Sequence, residues 1–256
     1  MKGRADQLLV ARGLFDTRAR ARAAIEAGRV KADGRVVAKP SEQIADDAEI
    51  EAEPAHRWVG RGALKLDHAL TVWPVAVQGR VVLDVGASTG GFTEVCLDRG
   101  AAKVFCVDVG FGQMHDRVAA DPRVANLERT DARDLTPELI PQPPSLIVCD
   151  ASFISLSKVL LAALDLAAPD ADLITLVKPQ FEGDGPRSVG KKGVVKDPAA
   201  HAAAVDRVRD WLEALGWSVR AVTESPITGG DGNVEFLLWA KNGASNGARN
   251  GVGNAG

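Results

Sequence analysis

Residues 80–100 read RVVLDVGASTGGFTEVCLDRG, and this stretch decides the fold. The run RVVLDV is nearly continuous in apolar residues, the mark of a strand buried on both faces. The loop GASTGG follows it, and FTEVCLDRG then opens a helix. Gly86, Gly90 and Gly91 let the backbone approach a ligand closely and take positive φ where the turn needs it. A strand, a glycine loop and a helix in that order begin an α/β unit with helices on both faces of a parallel sheet. The spacing is G-x-x-x-G-G, not the G-x-G-x-x-G of dinucleotide folds, and no Gly-Lys-Ser/Thr follows as in a phosphate loop.

Working outward, strand and helix keep alternating. KVFCVDV is a second strand, and RVANLER and SLIVCD are a third and fourth. SLSKVLLAALDLAA has the periodicity of one amphipathic helix, and ADLITLVK is the fifth strand. A Lys/Gly-rich loop leads into the helix DPAAHAAAVDRVRDWLEALG. WSVRAVTES and NVEFLLWA then read as closing antiparallel strands, with Glu235 inside the second. The expected fold is α/β: a Rossmann-like domain with a mostly parallel sheet, preceded by a small N-terminal α+β domain.

That N-terminal module has its own signals. Residues 4–13 read as a short helix with Leu8 and Leu9 inward, stopped by Gly13. A second helix starts at a cap provided by Asp16 or Thr17 and runs to Gly28, burying Ala21, Ala24 and Ile25. RVKADGRVV is a hairpin around Asp33-Gly34, and AEIEAE adds a strand. The expected division is 1–55 for this module, 56–63 for a linker, 64–241 for the larger domain and 242–256 for a polar, disordered tail.

Composition sets limits. The chain has 256 residues, 46% hydrophobic, with net charge −3. No apolar run reaches the roughly 18–20 residues of a membrane span, and the N-terminus is too polar for a secretory signal. A cytoplasmic, soluble protein is expected, with monomer as the default. Cys96, Cys106 and Cys149 form no close ligand pair, so no metal site is expected. The overall charge argues against a nucleic-acid binder, but the distribution reverses that. Residues 1–39 hold ten Lys/Arg against four Asp/Glu, a local basic patch able to meet phosphates. Its candidate RNA contacts are Arg4, Arg18, Arg20, Arg22 and Arg29. Arg187, Lys191, Lys192 and Lys196, in the loop FEGDGPRSVGKKGVVKD, add cations near the ligand crevice.

Asp108 ends the second strand, where an acid can accept hydrogen bonds from both ribose hydroxyls of an adenosine. With the glycine loop it points to an S-adenosylmethionine site. A nicotinamide site and a non-binding turn stay open as alternatives. The candidate cofactor residues are Asp84, Gly86, Ala87, Ser88, Thr89, Gly90, Gly91 and Asp108, with Asp131 a candidate for the adenine amino group. Asp150 and Lys178 each close an apolar strand, and in an open parallel sheet those ends face the crevice. Lys65 and Glu235 complete the order Lys–Asp–Lys–Glu. A lysine among carboxylates beside a methyl donor suits alignment of a hydroxyl and removal of its proton.

Across RGALKL, DVGASTGGFT, DASFIS, KPQFE, GGVVKD and SPITGGDGNVEF the chain resembles the hemolysin-A-like (TlyA) family of rRNA 2′-O-methyltransferases. Their catalytic domain is similar to the FtsJ/RrmJ methyltransferases. The likeness extends from residue 1 to about 241. RADQLLVARGLFDTRARARAAIEAGRVKADGRVV looks like the RNA-binding domain named after a small-subunit ribosomal protein. The resemblance implies rRNA or ribosomal subunits as partner, cytidine ribose as target and S-adenosylmethionine as methyl donor. It implies a catalytic tetrad of Lys65, Asp150, Lys178 and Glu235, with Lys178 acting on the hydroxyl. Arg57-Trp58-Val59 matches the family's interdomain linker. Gly60, Ala63, Glu94 and Asp131 depart from the family's usual Ser, Gly, Asp and Asn. The competing readings are a non-catalytic RNA-binding assembly factor and a membrane-active hemolysin.

Overall fold

The computed structural model describes residues 2–183, 193–229 and 232–243. The chain divides into two compact units, Met1–Arg57 and Trp58–Gly256.

The first unit is built from β1 (Lys2–Arg4), α1 (Ala5–Ala11), α2 (Arg18–Glu26), β2 (Val30–Ala32), β3 (Arg35–Val36), β4 (Gln43–Ala45) and β5 (Ile50–Ala52). Thr17, rather than Asp16, caps α2, its side chain accepting from Arg20 N–H at 3.3 Å. The Asp33-Gly34 hairpin forms, and β5 joins β2 antiparallel on its other edge. The sequence reading missed β1, three residues that pair with β4; a strand that short carries no period. Leu9, Ile25, Val30 and Ile44 fill a core of their own.

The second unit contains α3 (Gly62–Val72), β6 (Val81–Val85), α4 (Gly91–Asp98), β7 (Lys103–Asp108), α5 (Asp116–Ala119), β8 (Val124–Glu128), a 3₁₀ turn (Ala132–Asp134) and β9 (Leu146–Cys149). It continues through α6 (Leu156–Val159), α7 (Leu161–Asp165), β10 (Asp172–Val177), α8 (Pro179–Glu182), α9 (Pro198–Ala214), β11 (Trp217–Glu224) and β12 (Phe236–Asn242). The seven-stranded sheet has the order β11-β12-β10-β9-β6-β7-β8. Strands β6 to β10 pair in parallel, and β12 runs antiparallel between β10 and β11. Every residue of β9 and β10 is buried, as continuous apolar strands between two helical layers require. One hydrophobic cluster fills each face of the sheet.

Two expectations change in detail. The single helix expected over SLSKVLLAALDLAA is interrupted at Leu160, which ends α6 and starts α7. Leu156, Leu160 and Leu164 all stay buried across the break. Glu235 stands just before β12, not inside it, so its carboxylate avoids the apolar ladder. Chain order reverses between β6 and β9, the switch point where open α/β sheets form a crevice at the carboxyl ends of their strands.

Candidate active site

At that switch point β6 delivers Gly86, β9 delivers Asp150 and β10 delivers Lys178. Lys65 reaches in from α3, and Glu235 arrives from the approach to β12. Lys178 Nζ lies 2.8 Å from Asp150 Oδ1 and donates to Ser152 Oγ at 2.7 Å. Lys65 Nζ lies 3.3 Å from Asp150 Oδ2 and 2.7 Å from Glu235 Oε2. Asp150 therefore bridges two lysines, and Glu235 holds the outer one. Lys65, Lys178 and Glu235 are buried. Two cations and two carboxylates so close together neutralise one another, the condition under which buried charge is tolerable.

Small residues make room for this network. A Cβ on Gly62 would come within 3.3 Å of Asp150 Oδ2, and one on Gly229 within 2.5 Å of Glu235 Oε1. The four charged residues, Ser152 and the loop residues Gly86, Ala87, Ser88, Thr89 and Gly91 line one cavity of about 280 Å³.

A second cavity, of about 520 Å³, runs from Gly86 and Ser88 past Asp108 and Val109 to Thr130–Arg133. Both cavities share Gly86, Ser88, Asp150 and Ser152. Gly86 has φ 81°, and a Cβ there would meet Ala151 Cα at 3.0 Å, so only glycine fits. Asp108 Oδ2 accepts from Ser88 N–H at 2.8 Å and Oδ1 from Gly110 N–H at 2.7 Å. A carboxylate has about four acceptor sites, so two remain for a ribose diol. A cavity lined by Gly86, by Asp108 with acceptor sites to spare, and by the apolar Val107, Val109 and Ala132 offers the groups an adenosine needs. Its near end opens on the lysines, so the residues present fit S-adenosylmethionine.

Three of the proposed cofactor residues sit differently from a direct contact. Asp84 is fully buried beneath the loop and lines neither cavity. Its Oδ2 accepts from Thr93 Oγ1 at 2.6 Å, and burial pushes its carboxyl up to about 7. It sits inside β6, where alternation turns it away from the crevice. Gly90 caps α4 at φ 87° with its Cβ position against Val118, so it shapes the loop. Asp131 does line the larger cavity, but its carboxylate is turned onto Arg133, which holds it at about 2. Ala87, Ser88, Thr89 and Gly91 line the smaller cavity.

Among the RNA candidates, Arg4 and Arg18 both grip the buried Asp6. Arg20 pairs with Asp16, Arg22 with Glu26 and Arg29 with Glu53. Lys196 is exposed ahead of α9. Arg187, Lys191 and Lys192 lie outside the described residues. Sequence reasoning passed over Ser152, Gly62, Gly229 and Phe153. Phe153 is 88% exposed at φ 67°, on the wall of the larger cavity. The motif DASF contained Ser152 and Phe153, but nothing in its period marked them. Glu94, longer than the family's usual Asp, accepts Val59 N–H at 2.6 Å and also pairs with Arg117.

A family model for FtsJ-like methyltransferases matches residues 58–242, and an S4 domain model matches residues 3–50. The chain belongs to the FtsJ-like methyltransferase family. Within curated relatives it is 48% identical to the 16S/23S rRNA (cytidine-2′-O)-methyltransferase TlyA of Mycobacterium tuberculosis, over 94% of this chain and 90% of that protein. It is 33% identical to Hemolysin A of Brachyspira hyodysenteriae, over 91% and 98%. A solved structure of a candidate hemolysin from Streptococcus thermophilus superposes with TM-score 0.75 at 38% identity, covering 95% of this chain and 90% of that one. A candidate S-adenosylmethionine-dependent methyltransferase from Listeria monocytogenes, at 16% identity and TM-score 0.54, shares the fold over 71% of this chain and 99% of its own. The family's fold thus accounts for both the sheet order and the cavity at its switch point.

Proposed function

We propose that this protein transfers a methyl group from S-adenosylmethionine to the 2′-hydroxyl of a cytidine in rRNA, acting on ribosomal subunits in the cytoplasm. The observation that carries this reading is Asp150, bridging Lys65 and Lys178 where the glycine-loop cavity meets the crevice. When bound, S-adenosylmethionine supplies an electrophilic methyl group on a sulfonium. The chain's own residues do the rest. Lys178 orients the hydroxyl and balances the charge that develops on its oxygen as the proton leaves. Asp150 fixes Lys178, and its carboxylate accepts that proton as the oxygen–methyl bond forms and the methyl–sulfur bond breaks. Lys65 and Glu235 hold Asp150 in place and complete a neutral network, so catalysis rests on alignment and electrostatics. Phe153, an exposed ring at the mouth, is suited to stack a base displaced from its helix.

The arginines of the first unit suit phosphate contact. The Arg22–Glu26 and Arg29–Glu53 pairs are exposed on both sides, and exposed pairs contribute at most about 1 kcal/mol, so there exchange for a phosphate costs little; Arg4 and Arg18 stay tied to the buried Asp6. That unit matches an S4 domain model, which supports RNA as the partner. Among the described residues no helix is long and apolar enough to cross a membrane.

The test is methyl transfer from labelled S-adenosylmethionine to purified ribosomal subunits that lack the modification, with the product nucleoside identified. Wild type should yield 2′-O-methylcytidine. Lys178→Ala should lose about 10²–10⁴-fold in rate while still binding S-adenosylmethionine. Label on a base, or full activity in Lys178→Ala, would overturn the assignment.

A further inference from the structure

A third concavity, of about 650 Å³, lies beside the two already described, and Phe153 is a wall of both it and the cofactor cavity. Three cations line it: Lys158, Arg207 and Arg133, which also pairs with Asp131. The hydroxyls of Ser155 and Ser157 border it, and Phe181 forms its other ring, 5.4 Å from Phe153 at a 50° tilt. Lys158 is exposed and has no acidic partner among the described residues. Glu182 is the acid of this lining. Its Oε1 accepts Leu156 N–H at 2.8 Å, and its side chain is buried, so one acid stands against three cations. The concavity is therefore positive, open and faced with aromatic rings. Those are the parts of a single-strand nucleotide site: a π face for a base and cations for its phosphate. It also lies on the elements that carry the reacting groups, since Phe181 is three residues after Lys178 and Ser155 five after Asp150.

We propose that this concavity is a subsite for the nucleotide adjoining the methylated one in the RNA strand, its base against Phe181 and its phosphate on Lys158. The proposal rests on the RNA ribose reading above and adds a second contact point to it. A subsite one nucleotide away gives the enzyme a grip on strand direction, so that the target ribose reaches Lys178 in one orientation.

The experiment compares wild type, Lys158→Ala, Phe181→Ala and Phe181→Trp on unmodified subunits. Lys158→Ala should raise the KM for the subunit and flatten the dependence of log affinity on log salt by about 1, the loss of one phosphate contact. Its kcat and S-adenosylmethionine affinity should stay at the wild-type values. Phe181→Ala should weaken subunit binding roughly ten-fold or more, and Phe181→Trp should restore it, because stacking tolerates any flat ring. Hydroxyl-radical footprints of the complex should lose protection beside the methylated nucleotide in Lys158→Ala. Unchanged KM and salt slope would overturn the subsite. So would a Phe181→Trp variant as weak as Phe181→Ala with a lowered Tm, which would mark the ring as structural. Protection lost only at distant positions would assign the cations to another part of the subunit. If wild type makes no ribose-methylated product, the underlying reading fails; if it does and the variants match it, only the subsite fails.

Discussion

Among single residues, Asp84 is the one whose charge state the fold controls most visibly. It is fully buried under the glycine loop, its Oδ1 has no partner among the described residues, and its carboxyl is pushed up to about 7 by burial. In the unfolded chain it titrates near 3.8. Between those values the folded state holds the extra proton, so stability is fully present below about 4 and falls as pH rises toward 7. The loss is bounded at about 4 kcal/mol by a shift of this size. Asp84→Asn should flatten the curve: its urea midpoint should hold steady from pH 5 to 8, while that of wild type declines. A parallel decline in both proteins would show that another group sets the pH dependence. Asp6 works in the opposite sense. Arg4 and Arg18 hold its carboxylate at about 2, so its contribution is present above about 4 and is lost as pH falls toward 2.

At the scale of elements, two glycines divide the work of the site. Gly86 sits at φ 81° with backbone 3.0 Å from its Cβ position, so Gly86→Ala must deform the loop itself and should weaken S-adenosylmethionine binding. Gly229 stands against the end of a side chain instead. A methyl there would lie 2.5 Å from Glu235 Oε1, pushing the carboxylate off Lys65. Gly229→Ala should therefore lower methyl transfer roughly 10–100-fold, the scale of an ångström-sized misplacement, and leave cofactor affinity intact. Equal effects of both variants on cofactor affinity would refute this division. The same contrast shows what was legible beforehand. β6 to β10 were readable because burial on both faces leaves an unbroken apolar run, and their carboxyl ends named Asp150 and Lys178. The glycine loop was readable because its spacing is local. Gly62 and Gly229 were not, since each matters only through a side chain 88 or 6 residues away in the chain that folding brings to it. Asp84 shows a related point: proximity to the loop in sequence does not say which face of the strand a side chain takes. β1 and the position of Glu235 escaped because three-residue strands and strand approaches have no period to read.

The whole molecule is two cores of unequal size, and that inequality has a consequence. The first unit spans 57 residues, a length at which a domain buries only about 60% of the surface its unfolded chain exposes and is marginal in stability. Its core rests on few large side chains, with Leu9 fully buried between Ile25, Val30 and Ile44. Removing a buried leucine side chain costs about 2–5 kcal/mol, a large part of what so small a domain holds. Leu9→Ala should thus unfold the first unit near physiological temperature while the larger unit, with a separate cluster on each face of its sheet, keeps its own transition. Calorimetry would then show the low-temperature transition shifted or gone and the high one unmoved. S-adenosylmethionine should still bind, and affinity for ribosomal subunits should fall, because the arginine set on α2 and around it is lost with its scaffold. A single transition that shifts as a whole would mean the two units melt as one. Subunit affinity unchanged in Leu9→Ala would move RNA recognition onto the larger unit, where Lys158 and Arg133 already line a cationic concavity.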